Sequence, residues 1–142
     1  MILRFVGKLL PIQIAYAHCD VPCGIYDPKP AQIAAATVLK MVQKIKEVPQ
    51  DNDVEHINSV VRMVLTKEEH ARKCKEEILI LWTDYFKPEH LATFPNLHET
   101  FWKAAKLCSK AKQTVDEQTA ADLVKAVDEI AGIFVKSKQS AK

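Results

Sequence analysis

The sequence predicts an all-α fold, an up-down-up-down four-helix bundle. Apolar residues recur at intervals of three and four along four stretches, which is the spacing that places them on one face of a helix. The connections between these stretches are short, as they are between antiparallel neighbours in a bundle. Glycine, which punctuates strand-rich folds, occurs three times in 142 residues. These three observations predict one helical domain.

The first helix is expected to begin near Pro30, because proline is tolerated in the first turn of a helix. The sequence Val48-Pro49 should end it, since proline cannot continue a helix. Asp51 or Asp53 is then expected to cap the second helix, because a short carboxylate can accept from the first free backbone N–H groups.

The second helix carries the longest apolar stripe, broken only at Glu68. It is expected to end between residues 82 and 86, ahead of Pro88. Its stripe consists of Ile57, Val61, Val64, Ala71, Cys74, Ile78 and Leu81.

A short turn over residues 87–94 leads to the third helix, whose stripe is Leu97, Phe101, Ala104, Cys108 and Ala111. Thr114 and Glu117 have the spacing of a capping box and predict the start of the fourth helix. Its stripe is Leu123, Val127, Ile130 and Phe134, followed by a polar tail that is expected to fray. Cys74 and Cys108 lie on these stripes and are predicted to be buried free thiols.

The net charge of +2 comes from Arg4 and Lys8, because residues 18–142 contain equal numbers of basic and acidic side chains. A neutral body argues against nucleic acid, whose binding requires a concentrated basic face. The small size of the domain means that association into an oligomer would help to hide apolar surface.

Residues 1–17 predict a cleavable leader that precedes a domain over residues 18–142. The leader is apolar, basic near its start, and ends in the small residues of Ala15-Tyr16-Ala17. Its apolar run is too short to span a bilayer, so no membrane insertion is expected. On these features alone a secretory signal remains an alternative.

Residues 18–28 read HCDVPCGIYDP and combine two thiols, an imidazole, two carboxylates and a phenol. Thiolate and imidazole select transition metals over Mg²⁺ or Ca²⁺, so residues 18–26 predict an N-terminal metal-binding hook. A structural zinc site usually draws four ligands from two separated pairs, which this segment lacks, although composition leaves zinc open. A di-iron bundle is excluded because the sequence has no Glu-x-x-His motif. His90 and His98 are expected to be surface or loop histidines.

The string HCDVPCGIYDP resembles the nickel-binding hook of the nickel superoxide dismutases, and Trp82-Thr83-Asp84-Tyr85-Phe86-Lys87-Pro88 resembles a second recurrent segment of that family. The resemblance extends over roughly residues 18 to 138. It implies an antioxidant oxidoreductase that converts superoxide to dioxygen and hydrogen peroxide, with one nickel ion per subunit alternating between Ni(II) and Ni(III). It also implies a cytoplasmic homohexamer, whose leader is a propeptide removed by a protease.

The resemblance implies a specific ligand set. The His18 amine, the Cys19 backbone nitrogen, and the thiolates of Cys19 and Cys23 would form a square plane, with the His18 imidazole as axial ligand. Cleavage before His18 is needed, because an uncut chain offers an amide nitrogen there instead of an amine. Pro22 is expected to hold the turn of the hook, through a cis bond before it.

The resemblance also implies a catalytic set of Asp20, Tyr26, Tyr85 and Lys87. Tyr26 would restrict access to the metal and order water, while packing the hook on the bundle is an equally physical role for it. Tyr85 and the preceding Asp84 match a pair that approaches the metal, and Lys87 would attract superoxide by its charge.

The sequence departs from the family pattern at two positions. Ala34 stands where some members have a carboxylate that steadies the histidine ligand, and His70 stands where members can have an arginine. Two other classes stay open: a carrier that holds a soft metal through His18, Cys19 and Cys23, and a secreted helical interaction protein with a Cys19–Cys23 disulfide.

Overall fold

The computed structural model describes residues 24–50 and 53–140. Four helices, α1 to α4, follow one another along the chain, with a π-helical turn and a 3₁₀ turn between the second and the third. Each helix packs on its neighbours in the chain, and α1 also packs on α4, which closes an up-down-up-down bundle. The predicted fold class is therefore confirmed, whereas residues 18–23 of the hook, and with them the expected cis bond at Pro22, lie outside the described residues. The helices are Lys29–Glu47 (α1), Val54–Ile80 (α2), Leu97–Gln113 (α3) and Glu117–Ser140 (α4).

The core forms where the predicted apolar stripes of α3 and α4 face the inner side of α1. The sequence pattern predicts Ile33, Val38, Val42 and Ile45 on that side of α1; Val38 and Val42 are buried, but Ile33 is 56 % exposed. All the predicted stripe residues of α3 and α4 are buried, because the 3.6-residue period carries them to one side of each helix. In α1 the innermost positions are small, which lets this helix approach its neighbours closely. These positions are Ala31, Ala34 and Ala35, followed by Val38 and Val42.

The stripe predicted for α2 is right only in its second half. Ala71, Cys74 and Ile78 are buried, but the side chains of Ile57 and Val61 are 52 % and 48 % exposed. The helix therefore begins with apolar side chains that stay about half exposed.

Burial on α2 begins instead at a lysine, Lys67, whose side chain is 2 % exposed. Its ammonium donates to the backbone carbonyl oxygens of Ala111 at 2.9 Å, Lys112 at 2.6 Å and Thr114 at 2.9 Å. The last carbonyl groups of a helix lack partners within it and carry partial negative charge, so the three protons of an ammonium match them well. Burial lowers the pKa of Lys67. This one side chain ties α2 to the end of α3.

The predicted capping box at the start of α4 is wrong. The Thr114 hydroxyl donates backwards to the Lys110 carbonyl oxygen, and its own carbonyl accepts from Lys67. Asp116 caps α4 instead: its carboxylate accepts from the backbone N–H of Thr119 at 2.8 Å and from the hydroxyl of the same residue. These two bonds from Thr119 hold the pKa of Asp116 below its ordinary value.

The expected fraying after Phe134 is also contradicted, because α4 continues to Ser140 and buries Ser137, which is 1 % exposed.

At the start of α2, Asp53 is the capping residue, accepting from the backbone N–H of His56 at 2.6 Å. None of the described helices has the length and apolarity needed to cross a membrane.

Cys74 and Cys108 are buried free thiols, as predicted. A hydrogen bond with Cys108, together with burial, raises the pKa of the Cys74 thiol. Because the thiolate is the reactive form of cysteine, burial and the raised pKa make Cys74 a poor nucleophile.

Candidate active site

The end of α2 changes its winding at the segment singled out in the sequence. Residues Leu81–Tyr85 form a π-helical turn, closed by a hydrogen bond of 3.2 Å from the Phe86 N–H to the Leu81 carbonyl oxygen. Phe86 is extended, and residues Pro88–Ala92 form a 3₁₀ turn. Such π-helical turns often occur at functional sites, because one extra residue re-aims the side chains that follow.

This re-aimed segment faces the part of the hook that the structure describes, residues 24–26. Between them lies a cavity of about 320 Å³, and both segments contribute to its wall. The residues implied by the family resemblance, as far as the structure describes them, therefore meet at one place. The lining residues are Gly24, Tyr26, Asp84, Tyr85, Lys87, Glu89 and His90.

Two tyrosines form the aromatic part of this wall. The ring centroids of Tyr26 and Tyr85 lie 5.5 Å apart, with the ring planes tilted by 57°. Tyr85 also packs on Phe134 of α4, at 4.6 Å between centroids, and edge-on against Phe86 at 4.9 Å. Separations of this kind are favourable for aromatic pairs. Tyr85 is therefore held in place by the bundle, and Tyr26 packs against it.

The hydroxyl of Tyr85 is anchored to α4. Its oxygen lies 2.8 Å from the hydroxyl oxygen of Ser137, which in turn donates to the Phe134 carbonyl oxygen at 2.7 Å. Sequence analysis missed Ser137, because it belongs to the polar tail that was expected to fray.

His90 is the second residue that sequence analysis missed. Its ring stacks on Tyr85, with centroids 5.9 Å apart and planes 15° apart, and its Nδ1 accepts from the backbone N–H of Lys87 at 2.9 Å. A nitrogen that accepts a hydrogen bond carries no proton, so Nδ1 of His90 is unprotonated in this contact. The one signal in the sequence was its position three residues after Lys87. His98, the other histidine expected at the surface or in a loop, is exposed in the first turn of α3 and accepts a bond from the indole N–H of Trp82.

Charges of both signs border the cavity. Lys87 is exposed and contributes the positive charge, whereas Asp84 and Glu89 contribute carboxylates. Asp84 accepts a hydrogen bond of 2.8 Å from the Thr83 hydroxyl. A small anion would meet the positive charge of Lys87 at the rim of the cavity and the rings of Tyr26 and Tyr85 in its wall.

The two positions that depart from the family pattern are neighbours in space. Ala34 and His70 line a second, smaller cavity of about 270 Å³, together with Pro30, Ile33 and Lys73. The Nδ1 of His70 lies 2.9 Å from the Thr66 carbonyl oxygen. A carbonyl oxygen only accepts, so Nδ1 carries the proton.

Within the described part of the chain, no three histidine, cysteine or acidic side chains come close enough together to hold a metal ion. The predicted ligands His18, Cys19 and Cys23, and the predicted catalytic Asp20, lie outside the described residues. The donor set that these residues bring, namely thiolates, an imidazole and an amine after cleavage, is of the kind that late transition metals such as nickel accept.

Comparison with known proteins agrees with this chemistry. A family model described as nickel-containing superoxide dismutase matches residues 13–138. Two curated relatives named superoxide dismutase [Ni] are similar over 124 residues, which is 87 % of this chain and 90 % of each relative. The protein of Streptomyces seoulensis is 37 % identical, and that of Streptomyces coelicolor is 36 % identical.

Solved structures show the same relationship. The native nickel superoxide dismutase structure, and that of a nickel-containing superoxide dismutase in the oxidised state, each superpose with a TM-score of 0.76 at 34 % identity. Each match covers 86 % of this chain and 99 % of the other. These matches confirm the resemblance seen in the sequence, and with it the predictions of an oxidoreductase, of superoxide as substrate and of nickel as cofactor at the level of the family. The chain belongs to the family of nickel-containing superoxide dismutases.

Proposed function

We propose that this chain converts superoxide to dioxygen and hydrogen peroxide at a nickel ion held by its own hook, as an antioxidant enzyme. The observation that carries the proposal is the cavity in which Tyr26 and Tyr85 meet. Gly24, the residue that directly follows Cys23 in the sequence, lines that cavity, so the described end of the hook lies at the cavity. Membership of the family supports both the reaction and the metal.

The proposed nickel ligands are His18, Cys19 and Cys23. His18 would contribute its amine and its imidazole, Cys19 its thiolate and its backbone nitrogen, and Cys23 its thiolate. The donor chemistry supports this set, because strongly donating anionic ligands favour the higher oxidation state of a metal. When bound, nickel supplies a one-electron couple, Ni(II)/Ni(III), that suits a reaction in which one superoxide is oxidised and a second is reduced.

The remaining proposed residues control what reaches the metal. Two superoxide anions and two protons yield one dioxygen and one hydrogen peroxide, so the site must admit a small anion and deliver protons. Lys87 attracts the anion, since a positive charge at a cleft raises the local concentration of anions. Tyr26 and Tyr85 narrow the cavity and order water within it. Asp20, the carboxylate of the hook itself, completes the catalytic set.

We also propose that residues 1–17 form a propeptide and that a protease removes it. The chemistry supports this step, because only cleavage before His18 turns a weakly binding amide nitrogen into an amine. An amine and an imidazole of one residue can then bind the same ion. The mature chain is proposed to act in the cytoplasm.

Assembly into a homohexamer is part of the proposal. The first half of α2 exposes a stripe of apolar side chains, which is the kind of surface that marks interaction sites on soluble proteins. These residues are Val54, Ile57, Val61 and Leu65. The mass of the nickel-loaded protein, measured by light scattering, tests the number of subunits: a monomer in solution would contradict it.

The ligand assignment can be tested with cysteine variants of the chain that begins at His18. Cys19→Ser and Cys23→Ser are each expected to lose tight nickel binding and superoxide consumption. Cys108→Ala removes a buried thiol that does not line the cavity of Tyr26 and Tyr85, and it serves as the matched control, which should keep both. Full nickel content and full activity in Cys19→Ser would contradict the proposal. Tight metal binding by a parent chain that does not consume superoxide would indicate a metal carrier.

A further inference from the structure

We propose that Ser137 of α4 is a positioning residue for Tyr85, which fixes the direction of the hydrogen bond that the phenol makes. The inference rests on the proposed function of Tyr85 in the cavity and concerns a residue on a different helix. Ser137 is buried to 99 %, with 1 % of its side chain exposed, and its hydroxyl reaches the Tyr85 hydroxyl oxygen at 2.8 Å.

The direction of that bond follows from counting protons. A serine hydroxyl has one proton, and Ser137 donates it to the Phe134 carbonyl oxygen at 2.7 Å. In the bond between the two hydroxyls, Ser137 can therefore only accept, and Tyr85 must donate. The carbonyl oxygen of Phe134 has no proton to pass on, so this chain of bonds ends there and cannot feed protons to the cavity.

This direction decides what the phenol oxygen of Tyr85 can bind. The phenol proton of Tyr85 is donated to Ser137. In any further hydrogen bond, the phenol oxygen can therefore only accept. Superoxide anion has no proton to donate, whereas water and the product hydrogen peroxide each have two. Tyr85 is therefore set to hold water or peroxide, and attraction of the superoxide anion is left to Lys87.

The ring of Tyr85 is held independently of this bond. Phe134, Phe86 and His90 pack around it at centroid distances of 4.6, 4.9 and 5.9 Å. Removing the Ser137 hydroxyl should consequently leave the ring in place and release the phenol proton. An effect of Ser137 on function can thus be separated from an effect on packing.

The test compares Ser137→Ala and Ser137→Thr in the nickel-loaded chain that begins at His18. Ser137→Ala is expected to lower superoxide turnover by about two- to tenfold, which is the range that one hydrogen bond can supply. Ser137→Thr keeps a hydroxyl at this position and should restore most of the activity. Ser109→Ala is the matched control, because Ser109 makes a similar bond to a carbonyl within its own helix and lies outside the cavity wall.

A double variant separates an effect of Ser137 through the Tyr85 hydrogen bond from an effect on packing. In a Tyr85→Phe background there is no phenol hydroxyl for Ser137 to accept from. Adding Ser137→Ala to that background should therefore change turnover by less than about twofold, because the shared interaction is already absent. The same fold-loss in both backgrounds would show a merely structural role, and unchanged turnover in Ser137→Ala alone would overturn the proposal.

A second readout does not depend on activity. In the full chain Met1–Lys142 without nickel, with tyrosine labelled at Cζ, the Tyr85 resonance should shift in Ser137→Ala and stay unchanged in Ser109→Ala. An unshifted resonance in Ser137→Ala would refute the hydrogen bond itself. If the parent chain showed no dismutase activity, the proposed function would fail, while this resonance would still decide the assignment of the bond.

Discussion

The ring of Tyr26 rests on the ring of Tyr85, with 5.5 Å between their centroids. Tyr26 is the last residue of the hook, ahead of α1, whereas Tyr85 ends the π-helical turn after α2. This contact joins the part of the chain that carries the predicted ligands to the part that is buttressed by the bundle. An aromatic pair therefore holds the described end of the hook at the cavity.

Replacing Tyr26 with leucine should weaken the attachment of the hook. The aromatic pair contributes about 0.5–1.5 kcal/mol beyond the burial of its area, and leucine loses that contribution. Turnover per bound nickel is expected to fall more in Tyr26→Leu than in Tyr26→Phe, which keeps the ring. Equal turnover per nickel in the leucine variant and in the parent chain would show that the tyrosine pair has no part in shaping the site.

Replacing Lys87 with glutamine should slow the capture of superoxide. Loss of the rim cation is expected to reduce the second-order rate about three- to tenfold at low ionic strength, and the difference should shrink as salt screens the charge. Lys44→Gln is the control, because Lys44 is an exposed lysine near the other end of α1. It lies about 22 Å along the helix axis from Lys29, where α1 begins three residues after Tyr26 of the cavity wall. Rates with the same salt dependence in Lys87→Gln and in the parent would argue against electrostatic attraction by this residue.

The neighbouring positions Ala34 and His70 should behave as a coupled pair. Ala34 is buried, so Ala34→Glu alone places a carboxylate in the small cavity and should destabilise the fold by about 1–3 kcal/mol. Adding His70→Arg to Ala34→Glu supplies a charged donor beside the new carboxylate. The double variant is expected to recover much of the lost free energy of unfolding. Denaturant unfolding of both single variants and the double variant measures the coupling. Strictly additive free energies would mean that the two side chains do not interact.

Replacing Lys67 with methionine should destabilise the bundle by about 1–3 kcal/mol, because three carbonyl groups at the end of α3 lose their donor. Lys73→Met, an exposed lysine on the same helix, is the control and should change stability little. Thermal unfolding checks both. A Lys67→Met protein as stable as the parent would show that water satisfies these carbonyls equally well.

The sequence predicted the four helices because a period of 3.6 residues survives in each stripe, and it predicted the family because the hook string is chemically unusual. It failed where a partner lies far away in the chain. Lys67 is counted as polar in any periodicity, although its ammonium is satisfied by carbonyls more than 40 residues away. The same holds for Ser137, whose hydroxyl contacts that of Tyr85, 52 residues away. Thr114 is a different case: its spacing to Glu117 matches a capping box, but the neighbouring Asp116 caps α4 instead.

Loss of the leader tests the central proposal most directly. Met1–Lys142 and His18–Lys142 are purified, supplied with nickel under reducing conditions, and compared for nickel per chain and for superoxide consumption. Activity is expected only in the form that begins at His18, because only there is the nitrogen of His18 an amine. Equal nickel content and equal activity in the uncut chain would contradict it.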